Sequence, residues 1–246
     1  MTLTEKIIDM NKIDVFMPTV FKDLNKVEYS IRSLVEYFPH LNNIHISMPS
    51  KGEQPNLKIG EHKIFFHNDL DILPNVNLNE CRFRPNWILQ QLLKLCQNVT
   101  ETKNVYIFDS DCILVKQFDA YNTEGKIKLL KRVTPNDESA YFRYMNVMSK
   151  GDLCPYITDE YAETNFIADM QIFNVEIIDE MIHRYFKTRD DFIDFTIRSA
   201  FWQRNRTTSV FISEYELYGR YVMKYHKDKV YIDKLNMTDV TKYQPS

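Results

Sequence analysis

Two aspartates, Asp109 and Asp111, directly follow the apolar run 105–108 and are separated by one residue. In an extended chain, residues i and i+2 point to the same side and lie about 6.6 Å apart along the strand. Two carboxylates placed in this way can share a divalent cation. Alternatively, one can bind the cation while the other binds a sugar hydroxyl. Hard oxygen ligands in this number favour Mg²⁺ or Mn²⁺, with substrate phosphates completing the coordination. The alternative is an Asp-rich turn that merely ends a strand.

A second polar pattern precedes the aspartates, in a segment of helical periodicity that begins at Pro85 and runs to Cys96. Four side chains share one face of this helix because they are spaced at i, i+3, i+4 and i+7: Trp87, Gln90, Gln91 and Lys94. Carboxamides, a cation and a large aromatic ring suit the binding of hydroxyl groups and phosphate. The alternative is an amphipathic helix whose polar face is solvated.

Acidic and amide side chains near the C-terminus add further candidates. Ser213 and Glu216 match the S-x-x-E pattern of a capping box, so a helix start largely explains Glu216. The same helix start explains Glu214 only in part, which makes Glu214 the better candidate for a catalytic or acceptor-binding carboxylate. If residues 166–173 form a strand, Asp169 and Gln171 share its polar face and predict a sugar-binding surface. A strand exposed on one side explains them equally well.

The elements that must position these side chains follow from hydrophobic periodicity. Strand and helix patterns alternate over the first two-thirds of the chain, which predicts an α/β fold with a mostly parallel central sheet and helices on both faces. Strands are predicted at 13–17, 44–48, 63–66, 105–108, 113–115, 166–173 and 230–232, and helices at 27–38, 85–96, 177–186, 192–201 and 214–225, with a tail from residue 233. Ligands of such sheets bind beyond the carboxyl ends of the strands, so the chemistry is expected just after residues 17 and 108.

The composition limits the possible classes of protein. The chain has 246 residues, a net charge of −3 and 44% hydrophobic residues, enough for one sizeable core. Its five glycines spell neither a P-loop nor a G-x-G-x-x-G turn, and its four cysteines lack the spacing of a zinc or redox site. Because no export signal and no run of about 20 apolar residues occurs, we expect a soluble cytoplasmic protein. One domain is expected, with a nucleotide-binding half over 1–150 and an acceptor-binding half over 151–246.

Taken together, these segments resemble the GT-A class of nucleotide-sugar-dependent glycosyltransferases. The matching motifs occur in the expected order: Pro18-Thr19-x-x-Lys22-Asp23, Trp87-x-x-Gln90-Gln91-x-x-Lys94, Asp109-Ser-Asp111 and Ser213-Glu214-Tyr-Glu216-x-Tyr-Gly219. The W-x-x-Q-Q and S-E-Y-E motifs are similar to those of a group of bacterial and viral transferases, and a viral protein would act in the host-cell cytoplasm. The resemblance spans about residues 13–225. It implies a GT-A fold and transfer of a sugar from a nucleoside-diphosphate donor, with a UDP-sugar expected, to a hydroxyl group.

The resemblance also implies roles for individual residues. Asp111 would bind Mn²⁺ or Mg²⁺ directly and act in catalysis, Asp109 would bind the metal or the donor ribose, and His226 is the candidate third ligand. Glu214 would be the general base of an inverting enzyme, or would orient the acceptor in a retaining one. The remaining assignments are Thr19, Asp23, Arg84, Gln91 and Lys94 to the nucleotide-sugar, with Thr19 and Asp23 at the base, and Asp169, Gln171 and Glu216 to the acceptor or sugar.

Two other functions and two acceptors stay open. A haloacid-dehalogenase-like phosphatase would use Asp109 as nucleophile and Asp111 as general acid with Mg²⁺, but its motif normally lies on the first strand. A non-catalytic protein would only bind nucleotide or carbohydrate. The acceptor is expected to be a glycan, with hydroxymethylated phage DNA as the alternative. The DNA alternative rests on two groups of basic residues: Lys116, Lys126, Lys128, Lys131 and Arg132, and Arg198, Arg204 and Arg206.

Overall fold

The structure is a computed structural model that describes residues 11–49, 59, 61–132, 139–153, 165–201, 209–235 and 240–242. Strands and helices alternate over the first half, as the periodicity predicts. The elements in chain order are β1 (Ile13–Pro18), α1 (Leu24–Tyr37), β2 (Leu41–Met48), β3 (Ile64–Asn68), α2 (Asp69–Ile72), α3 (Pro85–Cys96), β4 (Asn104–Phe108), β5 (Cys112–Leu114), β6 (Ile127–Lys131), α4 (Ser139–Ser149), β7 (Met170–Asn174), α5 (Val175–Tyr185), α6 (Arg189–Ser199), α7 (Glu214–Tyr225), β8 (Val230–Lys234) and β9 (Val240–Lys242).

The central sheet has the strand order β3-β2-β1-β4-β7. The first four of these strands run parallel, and β7 pairs antiparallel with β4 at the edge. The side chains of β1 alternate between two cores: Val15 and Met17 lie in one, and Phe16 in the other. Helix α1 covers the first face, and α3 and α5–α7 cover the second. The predicted fold class, a mostly parallel sheet with helices on both faces, is therefore confirmed.

Several elements differ from the sequence-based prediction. The edge strand β7 begins at Met170 rather than at 166, because Asp169 has a left-handed φ of 57° that interrupts the extended chain. The expectation of a tail after residue 233 was wrong, since β8 continues to Lys234 and β9 pairs with β5. Strand β6, which pairs in parallel with β8, and helix α4 were not predicted. No helix in the described part of the chain is long and apolar enough to cross a bilayer.

A close approach explains the glycine of the S-E-Y-E-x-Y-G motif. A Cβ built on Gly219 would lie 2.3 Å from Cγ of Phe166, much closer than two carbons can come. Phe166 is completely buried, and its backbone N–H donates to the carboxylate of Glu216, one turn before the glycine. The glycine thus allows α7 to lie directly against the segment that leads into β7.

A buried histidine pair lies on β2 and β3. Nδ1 of His45 is 3.0 Å from Nε2 of His67, and the two rings are stacked with centroids 5.2 Å apart. Burial lowers the pKa of His45 to about 4, although the nearby charge of Asp14 opposes the shift and His67 adds to it. Burial also lowers the pKa of His67. Both rings are therefore neutral at pH 7.

This pair makes stability depend on pH. The unfolded chain binds a proton at His45 near pH 6.5, whereas the folded chain does so only near pH 4, so the folded state loses stability as pH falls between these values. The shift corresponds to about 3 kcal/mol. Urea unfolding at pH 7, 6, 5 and 4.5 should show a shallower loss for His45→Gln than for the native sequence. The exposed His183→Gln is the matched control, and equal pH profiles for all three proteins would contradict the assignment.

Candidate active site at the carboxyl edge of the sheet

Several of the predicted residues meet at the carboxyl edge of β1 and β4, where the strand order reverses. The chain proceeds from β1 to β2 and β3 on one side, and returns to β4 on the other. Such a switch point is where open α/β sheets bind ligands. Because β7 is antiparallel, its start also lies at this edge, and the carbonyl of Asp169 accepts a hydrogen bond from the backbone N–H of Asp109 (3.1 Å).

Asp109 and Asp111 lie in a tight turn rather than in an extended strand. The N–H of Cys112 donates to the carbonyl of Asp109 (3.0 Å), so the chain reverses directly after β4. The expectation of an extended i, i+2 spacing is therefore corrected. The hydroxyl of Ser30 on α1 donates to the carbonyl of Ser110 (2.9 Å), and the hydroxyl of Ser33 accepts from the N–H of Leu114. Two small polar residues of α1 thus hold the turn in place.

The ammonium group of Lys94 lies at the centre of the site. It donates to Oδ1 of Asp109 and to Oε1 of Glu214, both at 2.6 Å, and lies 3.3 Å from the hydroxyl of Tyr215. The tyrosine hydroxyl also donates to Oδ1 of Asp109 (3.2 Å). Only 2% of the Lys94 side chain is exposed. One cation therefore joins α3, the turn after β4 and the start of α7.

Electrostatics keep this cation charged. Burial lowers the pKa of Lys94, but the charges and hydrogen bonds of Asp109 and Glu214 outweigh burial, so the pKa is raised above its ordinary value. Burial raises the pKa of Glu214, Lys94 opposes this shift, and the charge of Asp109 adds to it. Lys94 was expected to pair with the phosphate or the sugar of the donor. The structure instead gives it internal partners, and it holds Asp109 and Glu214 together.

The two glutamates of the S-E-Y-E motif face different surroundings. Glu214 is 98% buried behind Lys94, and its N–H lies 3.5 Å from Oε1 of Gln91, which is also buried. Glu216 is fully buried and accepts hydrogen bonds from the N–H of Phe166 and from Nε of Arg220, both at 2.8 Å. Its carboxylate is thus occupied inside the fold, which does not support the expected contact with an acceptor.

Asp169 and Gln171 do not share a face that is open to a ligand. Asp169 pairs with Arg132 at the end of β6 and is about one-fifth exposed. Gln171 is completely buried, and its amide joins β7 to β6 through the N–H (2.9 Å) and the carbonyl (3.0 Å) of Leu130. The predicted sugar-binding surface is therefore corrected: Gln171 connects two strands, and Asp169 alone remains near the turn.

A cavity of about 680 Å³ opens beside the turn, between the ends of β1 and β2 and the start of α3. Three residues expected at the nucleotide-sugar line it: Thr19, Asp23 and Arg84. Its walls also include Trp87 and Gln90 from the polar face of α3 that the sequence predicted, and three residues that were not assigned to the site from the sequence: Asp69, Asn86 and Ser110. The hydroxyl of Thr19 is buried without a hydrogen-bond partner in the described part of the chain, so a polar atom is left for a ligand.

Asp69 is the main residue that sequence reasoning missed. It follows β3 directly, so the rule that predicted Asp109 after β4 also predicts a candidate here. The hydroxyl of Ser47 donates to its carboxylate, and burial raises its pKa while this hydrogen bond opposes the shift. Asp69 thus presents a partly desolvated carboxyl group to the cavity.

No protein-family model matches this chain, and no curated protein matches it in sequence. Among solved structures, mouse xyloside xylosyltransferase 1 in its apo form matches it with a TM-score of 0.51. The match has 12% sequence identity and covers 92% of this chain and 86% of that chain. The chain has a glycosyltransferase-like fold. At this identity the likeness is one of fold.

The carboxylates at the turn can hold a divalent cation only if phosphate oxygens complete its coordination. Across the described residues there is no group of three His, Cys, Asp or Glu side chains that could hold a metal ion. His226 ends α7 with Nε2 3.1 Å from Oε2 of Glu180 on α5, so the expected third ligand is not brought to the turn. Two carboxylates, Asp109 and Asp111, remain. One or two carboxylates plus substrate phosphates are the usual ligands of Mg²⁺.

The buried Lys94 gives a first test of this geometry. Lys94→Met would leave Glu214 buried opposite Asp109 with no cation between them, and should lower the free energy of unfolding by about 3–5 kcal/mol. Urea unfolding at pH 7 measures the change. The double variant Lys94→Met/Glu214→Gln removes the stranded charge and should recover part of the loss. Lys103→Met, which breaks an exposed pair with Glu176, is the control. A loss no larger than that of the control would contradict a central role for Lys94.

Proposed function

We propose that this protein is a glycosyltransferase that transfers a sugar from a nucleoside-diphosphate donor, with a UDP-sugar expected, to a hydroxyl of a glycan. The observation that carries the proposal is the cavity at the switch point of a glycosyltransferase-like fold, directly beside the Asp109–Asp111 turn. A cavity lined by both apolar and polar side chains suits a nucleobase and ribose. The adjacent carboxylates suit a cation that is shared with a diphosphate.

In this proposal the cavity holds the nucleotide. Thr19 and Asp23 contact the base, as the resemblance implies, and Asp69, which lines the same cavity, joins them from the end of β3. Arg84 is exposed at the start of α3, 5.7 Å from the ring of Trp87, where its guanidinium can pair with phosphate. It is held in a left-handed conformation with φ 41°. Non-glycine residues in this region cost conformational energy and occur often at ligand sites.

The carboxylates of the turn act on the diphosphate. Asp111 and Asp109 would hold Mg²⁺ or Mn²⁺, which would neutralise the charge that develops on the departing nucleoside diphosphate. Lys94 fixes the carboxylate of Asp109, and Glu214 fixes Lys94 from behind. The burial of Glu214 favours this positioning role over removal of a proton from the acceptor.

The acceptor is proposed to be a glycan because much of the predicted basic surface is neutralised. Lys126 pairs with Glu124 (3.0 Å), Lys128 pairs with Asp233 (3.4 Å), and Arg132 pairs with Asp169. Arg204 and Arg206 lie outside the described residues. Three of the five lysines and arginines between 116 and 132 are thus bound to carboxylates of the same chain, which weakens the case for a DNA backbone.

A hydrolysis screen tests the proposed function. The full chain is incubated with UDP-, GDP- and CMP-sugars in Mn²⁺, and release of the nucleotide is measured. We expect turnover with one donor class, and a loss of about 100-fold or more in Asp111→Asn, because the cation that would neutralise the departing phosphate loses a carboxylate ligand. Asp194→Asn, an exposed aspartate on α6, is the matched control.

Two outcomes of this screen would contradict the proposal. One is faster release of phosphate from p-nitrophenyl phosphate in Mg²⁺ than turnover of any nucleotide-sugar, which would identify a phosphatase. The other is the absence of metal-dependent turnover with all donors, which would leave only a binding role.

A further inference from the structure

A second cavity, of about 1090 Å³, lies at the opposite end of the central sheet. It is bordered by the start of β1, the start of β4, the end of β7 and residues 119–127. The candidate active site lies at the other end of the same strands, so the two cavities are separate. None of the residues assigned above to catalysis, metal or nucleotide lines it.

A row of amide side chains forms the floor of this cavity. Nδ2 of Asn174 donates to Oδ1 of Asn104 (2.9 Å), and Nδ2 of Asn104 donates to the hydroxyl oxygen of Tyr121 (3.1 Å). Oδ1 of Asn174 also accepts the N–H groups of Glu176 and Ile177 at the start of α5, which fixes the row to the fold. The row is therefore rigid before any ligand binds.

The Tyr121 hydroxyl ends this row with a hydrogen to donate. Its oxygen already accepts from Asn104, and no acceptor for its own hydrogen is recorded among the described residues. Burial raises the pKa of Tyr121, although the hydrogen bond from Asn104 opposes the shift, so the phenol stays protonated at neutral pH. The half-buried ring meets His40 edge-on, with centroids 5.2 Å apart. Tyr121 thus offers both a donor and an apolar ring.

This combination matches the chemistry of a sugar. Sugar hydroxyls donate and accept hydrogen bonds, as carboxamides do, and the C–H face of a sugar ring can lie against an aromatic side chain. Hydroxyl groups of Thr102 and Thr123 also line the cavity. Its volume is just above the range of about 300–1,000 Å³ for small-molecule sites. A short oligosaccharide fills such a space better than a single ring.

The rim adds a preference for negative charge. Three lysines border the cavity, Lys12, Lys103 and Lys229, against two acidic residues, Glu101 and Asp119. Lys103 is paired with Glu176, and since both side chains are more than half exposed, this pair holds the lysine only weakly. The lining residues thus carry one more positive than negative charge, which favours a ligand that carries acidic groups.

We propose that this second cavity binds an acidic oligosaccharide: Asn104 and Tyr121 contact its ring hydroxyls, and Lys12 and Lys229 contact its carboxylates. Binding at this site does not require the proposed transferase reaction, but its role in holding an acceptor rests on the proposed function. In an enzyme that acts on a polymeric glycan, it would hold the chain at a second point and raise the effective concentration of the acceptor.

Calorimetric titration of the full chain tests this inference. The probes are a hexamer of galacturonic acid, the neutral hexamer maltohexaose, and inorganic phosphate. We expect saturable binding of the acidic hexamer and much weaker binding of the other two probes. Tyr121→Phe keeps the ring and removes the hydroxyl, and should weaken binding about fivefold. The double variant Lys12→Gln/Lys229→Gln should weaken it about tenfold.

The control variant is Lys63→Gln, an exposed lysine outside the cavity lining, which should bind the acidic hexamer as the native protein does. Thermal unfolding of each variant checks that it is folded. Equal affinity for phosphate or maltohexaose would overturn the inference, as would no binding of the acidic hexamer or binding that the two cavity variants leave unchanged. Binding of UDP measured in parallel reports on the first cavity, so failure of one proposal is distinguishable from failure of the other.

Discussion

The site depends on one buried cation. Lys94 has almost no contact with solvent, and two carboxylates from distant parts of the chain, Asp109 and Glu214, accept its hydrogen bonds at 2.6 Å. A buried charge without a partner is costly, so the three elements that supply these groups cannot shift independently. The position of the Asp109–Asp111 turn relative to α3 and α7 is therefore fixed by electrostatics as well as by the hydrophobic core.

This constraint divides the acidic residues of the site into two groups. Asp109 and Glu214 are held by Lys94 and maintain the geometry, whereas Asp111 lies in the turn beyond them. Backbone conformation contributes as well, since Asp169 beside the turn and Arg84 at the cavity both have positive φ. A strained backbone conformation of this kind persists only where contacts with the surrounding structure hold it in place. The site is thus built largely before any ligand arrives.

The sequence predicts what is encoded locally. Helices α3 and α7 have the bounds that the periodicity predicts. Their first residues are predictable because Pro85 and Ser213 are local start signals. The position of the two aspartates is also predictable, because they directly follow the apolar run that forms β4. Three of the buried contacts are not predictable in this way, because each joins residues more than 40 positions apart along the chain: Lys94 with Glu214, Gln171 with Leu130, and Glu216 with Phe166. The same limit explains the pairing of β9 with β5, which no local pattern indicates.

A crystal soaked with Mn²⁺ and UDP, with data collected at a wavelength where manganese scatters anomalously, tests whether the Asp109–Asp111 turn and the adjacent cavity form one site for a metal ion and a nucleotide. We expect an anomalous peak between the Asp111 carboxylate and both phosphates, the uracil in the cavity next to Thr19, and Lys94 still bound to Asp109. A nucleotide bound elsewhere, or a manganese peak remote from the turn, would contradict this expectation.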